Sequence, residues 1–522
     1  MSQVYQSGNC IKLNKMKIVI VGGGSAGWLT AAYLANQNQI YKKNNLEQID
    51  ITVIDSSEIP IIGAGEGVTA LMRHFVMSKF NELGKSEMDF IMGAGALPKY
   101  GIRFKDWNGV GTEFLSPLHG SNTALNEYDS DFLSAVIAGD YYDSSISGYM
   151  MARGLTDFHA TEARHMAMHA YHFNANMVGQ YFKKLCIEHG VKHIDAKLHD
   201  IELDPLTGYC QKVKLVNHDD LEADFWIDCT GNAKFLISRM GAKWVSYADE
   251  LPVNSALPYI HQYDDPCEAK LETLSWSMPN GWMWQAPVQE RYGCGYVYSD
   301  KFVNDDQALA ELERTTGRKI QPIRKFNFEV GKLDRSWIKN VAAFGLASSF
   351  LEPLQATSIH STLVQVDTLF TKYFSKDINN FLLDQNIKKY NASINLLLEQ
   401  YKDLVRIHYY NKREDSEFWR FCKYELPMSD NVKEIIEICK HRCPSSFDFG
   451  DNHGTSGWGV WCWTLYGLGT LPKSSIINTA EKFAITNNTT KLHKDLLNSF
   501  DSISKSLKKQ PDLIKQIINK TI

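Results

Sequence analysis

The first regular pattern along the chain is Lys17-Ile18-Val19-Ile20-Val21, a β-branched run with no polar residue after Lys17. Such a run suits a strand covered on both faces of a parallel sheet. A polar leader, residues 1–15, precedes it, and Gly22 ends it. Gly22-Gly23-Gly24-Ser25-Ala26-Gly27-Trp28 then opens an Ala- and Leu-rich stretch, Leu29 to Asn36, which reads as a helix. A polar loop containing Lys42, Lys43, Asn44 and Asn45 follows, and a second strand, Ile51-Thr52-Val53-Ile54, closes on Asp55. Strand, helix and strand make a βαβ unit. Further along, Ala223 to Cys229 reads as a strand ending in a tight Thr230-Gly231 turn. Val341 to Ala347 is a small-residue strand, followed by Glu352-Pro353 and a helix from Thr357. From about residue 376 the apolar residues fall at helical spacing, as in Ile394-Asn395-Leu396-Leu397-Leu398 and Val432 to Cys439. The last forty or so residues, rich in Lys, Asn and Ser, read as amphipathic helices with a solvated face.

Composition narrows the class. Of 522 residues, 44% are hydrophobic and 22% charged, as in soluble globular proteins, so collagen-like, coiled-coil and wholly disordered readings are excluded. The 55 Lys and Arg against 60 Asp and Glu leave a net charge of −5, without the basic field of a nucleic-acid binder. Neither a signal peptide nor an apolar run of bilayer length is evident, so a cytoplasmic protein with no membrane partner is expected. The ten cysteines are scattered and read as reduced thiols. Cys439, His441 and Cys443 make a poor ligand pattern, so no metal is expected.

Chemistry enters with the glycines. Gly22, Gly24 and Gly27 have the G-x-G-x-x-G spacing that turns the backbone tightly, admits a pyrophosphate and packs helix on strand. Ser25 and Ala26 lie at the helix start, whose N–H groups face the phosphates. Asp55, at the end of the second strand, suits a ribose hydroxyl, and its long distance from the glycines is assigned to the Lys/Asn-rich loop. The fingerprint alone does not separate FAD from NAD. Return of the later strands to one nucleotide site favours a flavoprotein that cradles an extended FAD between several chain passes.

Other stretches sharpen this: Gly65-Glu66-Gly67-Val68-Thr69; Lys99-Tyr100-Gly101-Ile102-Arg103-Phe104 followed by Trp107; His172-Phe173-Asn174-Ala175; Asp228-Cys229-Thr230-Gly231. To these add Trp282-Met283-Trp284-Gln285-Ala286-Pro287, Tyr296-Val297-Tyr298-Ser299 and Asp415-Ser416-Glu417-Phe418-Trp419. Singly they are unremarked: alternate Trp residues mark one face of a strand, and a Lys after Pro98 is an ordinary surface group. In this order, over roughly residues 16 to 470, they resemble the flavin-dependent, tryptophan-halogenase-like family.

The resemblance implies an α/β fold: a Rossmann-like FAD-binding module of flavin monooxygenase type (16–110, 160–240, 330–375), substrate-side insertions carrying a sheet (111–159, 241–329) and a helical C-terminal region (376–522). It implies FAD, bound by the glycine fingerprint with Glu66 and Gly67, reduced by a separate flavin reductase, and used with oxygen and halide to make hypohalous acid. Lys99 would hold or capture the oxidant, since an ammonium donates charge-assisted hydrogen bonds and a desolvated amine can lose its proton. Trp282 and Trp284 would keep the organic substrate from the flavin, and backbone N–H groups near Thr357 and Ser358 would bind halide.

The departures matter. Where the family has P-L-E-S-T-G-I, this chain reads Pro353-Leu354-Gln355-Ala356-Thr357-Ser358-Ile359, so Gln355 stands at the position of the catalytic glutamate. A neutral amide hydrogen-bonds but cannot balance a cationic ring intermediate. The expected activity is therefore a two-component halogenase acting on small electron-rich aromatics, indoles and phenols rather than free tryptophan, with bromide or iodide favoured over chloride. The alternatives are a hydroxylating flavin monooxygenase and a flavin-binding protein whose catalysis went with the carboxylate. A homo-oligomer is left open.

Overall fold

The computed structural model describes residues 15–59, 66–118, 130–139, 141–158, 169–449, 458–482 and 489–519; Cys10, Gly65 and most of the polar leader lie outside them. Strand β1 (Lys17–Val21) pairs in parallel with β2 (Asp50–Asp55) on one side and with Phe225–Asp228 on the other. They belong to a six-stranded sheet ordered Trp337–Ile338, Val341–Ala343, Phe225–Asp228, β1, β2, Lys192–Asp195. Alternation along β1 sends Ile18 and Ile20 into one hydrophobic cluster and Val19 and Val21 into another, as an unbroken apolar run requires.

Between them helix α1 spans Ser25–Lys43. Its length corrects the loop expected at Lys42 and Lys43, which form the last helical turn, where basic side chains face the negative end of the helix dipole. Extra helical turns therefore account for most of the long glycine-to-Asp55 spacing.

A second, seven-stranded sheet runs Phe326–Asn327, Ser255–Gln262, Arg291–Tyr298, Gly281–Pro287, Thr273–Met278, Gly101–Lys105, Glu113–Pro117. All its pairs are antiparallel except that between Thr273–Met278 and Gly101–Lys105. It reaches back across residue 110, so Gly101–Lys105 sits with the expected insertions and not in the nucleotide sheet. A small three-stranded sheet orders Glu66–Gly67, Ala170–Phe173, Leu97–Lys99.

Beyond residue 376 the described chain is helical apart from Lys508–Lys509, with long helix Asp384–His408 followed by Glu417–Tyr424 and Asp430–Cys439. The end of the chain is more than the solvated face expected. Lys508–Lys509 pairs with Leu155–Thr156, and Leu513, Ile514 and Ile517 of helix Gln510–Ile518 join the main core. Buried Gln510 accepts from Leu271 N–H and donates to Leu155 O. The nine described cysteines are free thiols. Among the described residues no cluster of His, Cys, Asp and Glu could hold a metal, and no helix is long and apolar enough to cross a membrane.

Candidate functional site

At the nucleotide end, the glycines differ in what a side chain would meet. A Cβ on Gly22, whose φ is +111°, would lie 2.2 Å from Cys229 O; one on Gly27 would lie 1.9 Å from Gly22 O. Those two glycines serve close packing of the protein itself. A Cβ on Gly24 would meet nothing within 4 Å. Gly24 caps α1, and the first helical bond is Trp28 N–H to Gly24 O at 3.1 Å, which leaves the N–H groups of Ser25, Ala26 and Gly27 at an open end. Asp55 lies beside Gly23 and is held by His193 Nε2 and, at 3.7 Å, Lys183 Nζ. Open space over Gly24, bare helix-start N–H groups and a carboxylate at the strand end fit a dinucleotide such as FAD. Asp228 instead braces its own turn, accepting from Thr230 N–H and O–H, Leu236 N–H and Ile237 N–H.

The small sheet brings the two expected motifs together. Ala170–Phe173 pairs on one edge with Glu66–Gly67 and on the other with Leu97–Lys99. A Cβ on Gly67 would lie 3.0 Å from Lys99 Nζ, 3.1 Å from Thr273 Oγ1 and 3.3 Å from His172 Cδ2. Lys99 is thus no surface group: it is 2% exposed, with no acidic partner among the described residues. Burial pushes it down to about 7. Adjacent His172, bonded to Thr273 Oγ1 at 2.8 Å, is kept neutral by burial and then by the charge of Lys99.

Lys99 opens into a cavity of about 500 Å³ that also reaches Gly67, Trp282, Trp284, Glu352 and the turn Gln355–Ser358. Trp282 and Trp284, two apart on strand Gly281–Pro287, face it together, with ring centroids 6.4 Å apart. Gly295 lies opposite Trp284, where a Cβ would fall 1.9 Å from the indole ring.

The turn holds two consecutive non-glycine residues in the left-handed region, Gln355 (φ +61°) and Ala356 (φ +55°), before helix Thr357–Thr368 begins. Such residues are individually disfavoured and persist where surroundings impose them. Gln355 Nε2 lies 3.0 Å from His408 Nε2, and His408 Nδ1 lies 2.7 Å from Leu404 O. Burial pushes His408 down to about 4, so it is neutral. At the other end of the helix's first turn, His360 Nδ1 meets Thr69 Oγ1 at 2.6 Å, tying the segment after Gly67 to this helix.

The cavity does contain a carboxyl, which sequence reading did not single out. Glu352, 1% exposed, accepts from Tyr409 O–H at 2.8 and 3.0 Å and from Trp282 Nε1–H at 3.3 Å. With no cation paired with it among the described residues, burial pushes it up to about 7. Trp419, from the Asp415–Trp419 stretch, stacks on Tyr409 at 6.0 Å and meets Trp107 edge-on at 5.8 Å. The signal for Glu352 was present in its neighbour Pro353 and the following turn; His408 and Tyr409 close a long helix whose pattern reads only as core.

The family model described as tryptophan halogenase matches residues 17–481. A tryptophan 6-halogenase of Streptomyces albogriseolus is 27% identical over 546 residues, covering 97% of this chain and 99% of that protein. A tryptophan 7-halogenase of Lentzea aerocolonigenes is 28% identical over 449 residues, covering 81% of each. Among solved structures, a tryptophan C-6 flavin-dependent halogenase from taromycin biosynthesis superposes with a TM-score of 0.85 at 26% identity, covering 97% of this chain and 100% of that one. A tryptophan halogenase of Shewanella frigidimarina gives 0.85 at 25% identity, covering 98% and 99%.

Proposed function

The chain belongs to the tryptophan halogenase family, whose members are flavin-dependent enzymes that halogenate aromatic substrates, and from that premise we propose a two-component halogenase for activated aromatic rings other than free tryptophan. One observation carries the reading: Lys99, buried over Gly67 without a counter-ion among the described residues, shares a cavity with the turn Gln355–Ser358. Gly24, Ser25, Ala26, Asp55, Glu66 and Gly67 hold FAD, on a turn that Gly22 and Gly27 let pack closely; when bound and reduced by a separate reductase, FAD supplies the oxidation of halide by oxygen. Helix-start N–H groups at Thr357 and Ser358 hold the halide. Trp282 and Trp284 wall the organic ring from the flavin. Lys99 holds the halogenating oxidant, donating as an ammonium or capturing it as an amine, and a group pushed down to about 7 can do either near neutrality.

Gln355 supports the substrate class. A neutral amide stabilises a cationic ring intermediate less than a carboxylate does, so phenols, anilines and simple indoles, which need less help, are the better substrates. Bromide and iodide, more easily oxidised than chloride, are the better donors. The test is incubation with a panel of indoles and phenols, a flavin reductase, FAD and each halide in turn, read by mass spectrometry. Halide-dependent mono- and dihalogenated phenols and indoles are expected. Hydroxylated products independent of halide would make the protein a monooxygenase; flavin binding without turnover would leave it a flavin carrier.

A further inference from the structure

His408 ends helix Asp384–His408 and is fully buried, flanked by the rings of Phe104 at 5.3 Å and Trp107 at 5.7 Å. Its two nitrogens have different partners. Nδ1 lies 2.7 Å from Leu404 O, a carbonyl that can only accept, so Nδ1 carries the ring proton. The neutral ring has one proton, so Nε2 is a bare acceptor, and the Gln355 Nε2–H group 3.0 Å away donates to it. That bond fixes the amide: its nitrogen is turned to His408, and its oxygen Oε1, bonded to nothing among the described residues, is the atom left for the cavity that Gln355 lines.

We propose that His408 is a positioning residue that makes position 355 a neutral acceptor, so that the cavity selects aromatic rings bearing a neutral N–H or O–H donor toward Gln355 Oε1. The proposal deepens the halogenase reading and rests on it for the ligand class. It also changes what the carboxylate would do here. A carboxylate oxygen at Gln355 Nε2's place would face the lone pair of His408 Nε2, two acceptors with no proton between them. Gln355→Glu therefore needs a proton between the two, held by the new carboxyl or by His408 Nε2, and does not simply add a charge to the site.

Two measurements on the full chain test this. In the first, ¹⁵N-detected NMR of the histidine rings in the flavin-free protein should show His408 protonated at Nδ1 alone at pH 7, with Nε2 an unprotonated acceptor. In the second, titration calorimetry of the FAD-loaded protein compares indole with N-methylindole and phenol with anisole. The parent rings should bind about tenfold or more tightly, some 1.4 kcal/mol, in wild type. In His408→Phe, which keeps a ring between Phe104 and Trp107 but frees the amide, the ratio should fall below about threefold. A proton on His408 Nε2 in the wild type, or equal binding of parent and methylated rings there, overturns the assignment whatever the enzyme's activity. Absent halogenation with both readouts as stated would overturn the halogenase reading and leave His408's role standing.

Discussion

At Gly24 an added Cβ would meet nothing within 4 Å among the described residues, whereas at Lys99 the side chain itself is the feature, buried with no described acid against it. The proposed nucleotide site is made of backbone: glycines, a helix start and a strand end. The proposed reaction site depends on side chains taken out of water, Lys99, Glu352 and His408, each shifted toward its neutral form by burial. The contrast teaches where each end is vulnerable. The first fails when atoms are added, the second when a charge or a hydrogen-bonding atom is exchanged.

The largest effect should come from Lys99. Lys99→Ala is expected to lower halogenation by about 100-fold or more, the scale of a lost catalytic donor, while FAD affinity is unchanged; mass spectrometry with a fluorescence titration checks both. Lys99→Arg should fail too, because a guanidinium does not lose its proton. Halogenation retained in Lys99→Ala would erase the contrast at its reaction end.

The glycines sharpen the other end. Gly24→Val should weaken FAD binding by at least about tenfold with thermal unfolding of the flavin-free protein unchanged, because its side chain obstructs only the ligand. Gly27→Val should lower that unfolding temperature, because its Cβ would lie 1.9 Å from Gly22 O. Equal flavin affinity in wild type and Gly24→Val would remove the nucleotide from this end.

Burial also predicts a stability effect with a definite sign. Lys99 is pushed down to about 7 in the fold from an ordinary 10.5, so the folded state holds its proton less firmly than the unfolded chain. Its cost to stability is greatest below pH 7, shrinks as pH rises and vanishes above about 10.5. Lys99→Met should therefore stabilise the fold by up to a few kcal/mol at pH 6 and by less at pH 9, measured by urea unfolding. The smallest effect concerns Glu352. With its carboxyl pushed up to about 7 beside the Trp282 indole N–H, tryptophan fluorescence of the flavin-free protein should step near that pH, and the step should flatten in Glu352→Gln.

Much of the nucleotide end was legible in sequence, because its signals are local. An unbroken β-branched run, three spaced glycines and a strand-ending acid are set by the backbone each requires. Helix ends were less legible: Lys42 and Lys43 look like loop residues until the helix dipole is considered. The final helix reads as amphipathic surface, yet its apolar stripe, Leu513, Ile514 and Ile517, enters the core, since a stripe does not say what covers it.

Sequence alone picked out the glycine-spaced βαβ unit, Lys99 after Pro98, the paired tryptophans and the exchange of Glu for Gln at 355, while the strand that carries Lys99 and its burial came from the fold. Tertiary structure alone decided what Gln355 and Glu352 can do. Their partners lie 53 and 57 residues away on one distant helix and the turn that follows it, and an amide's orientation or a carboxyl's protonation belongs to the surroundings that packing assembles, not to the residue type.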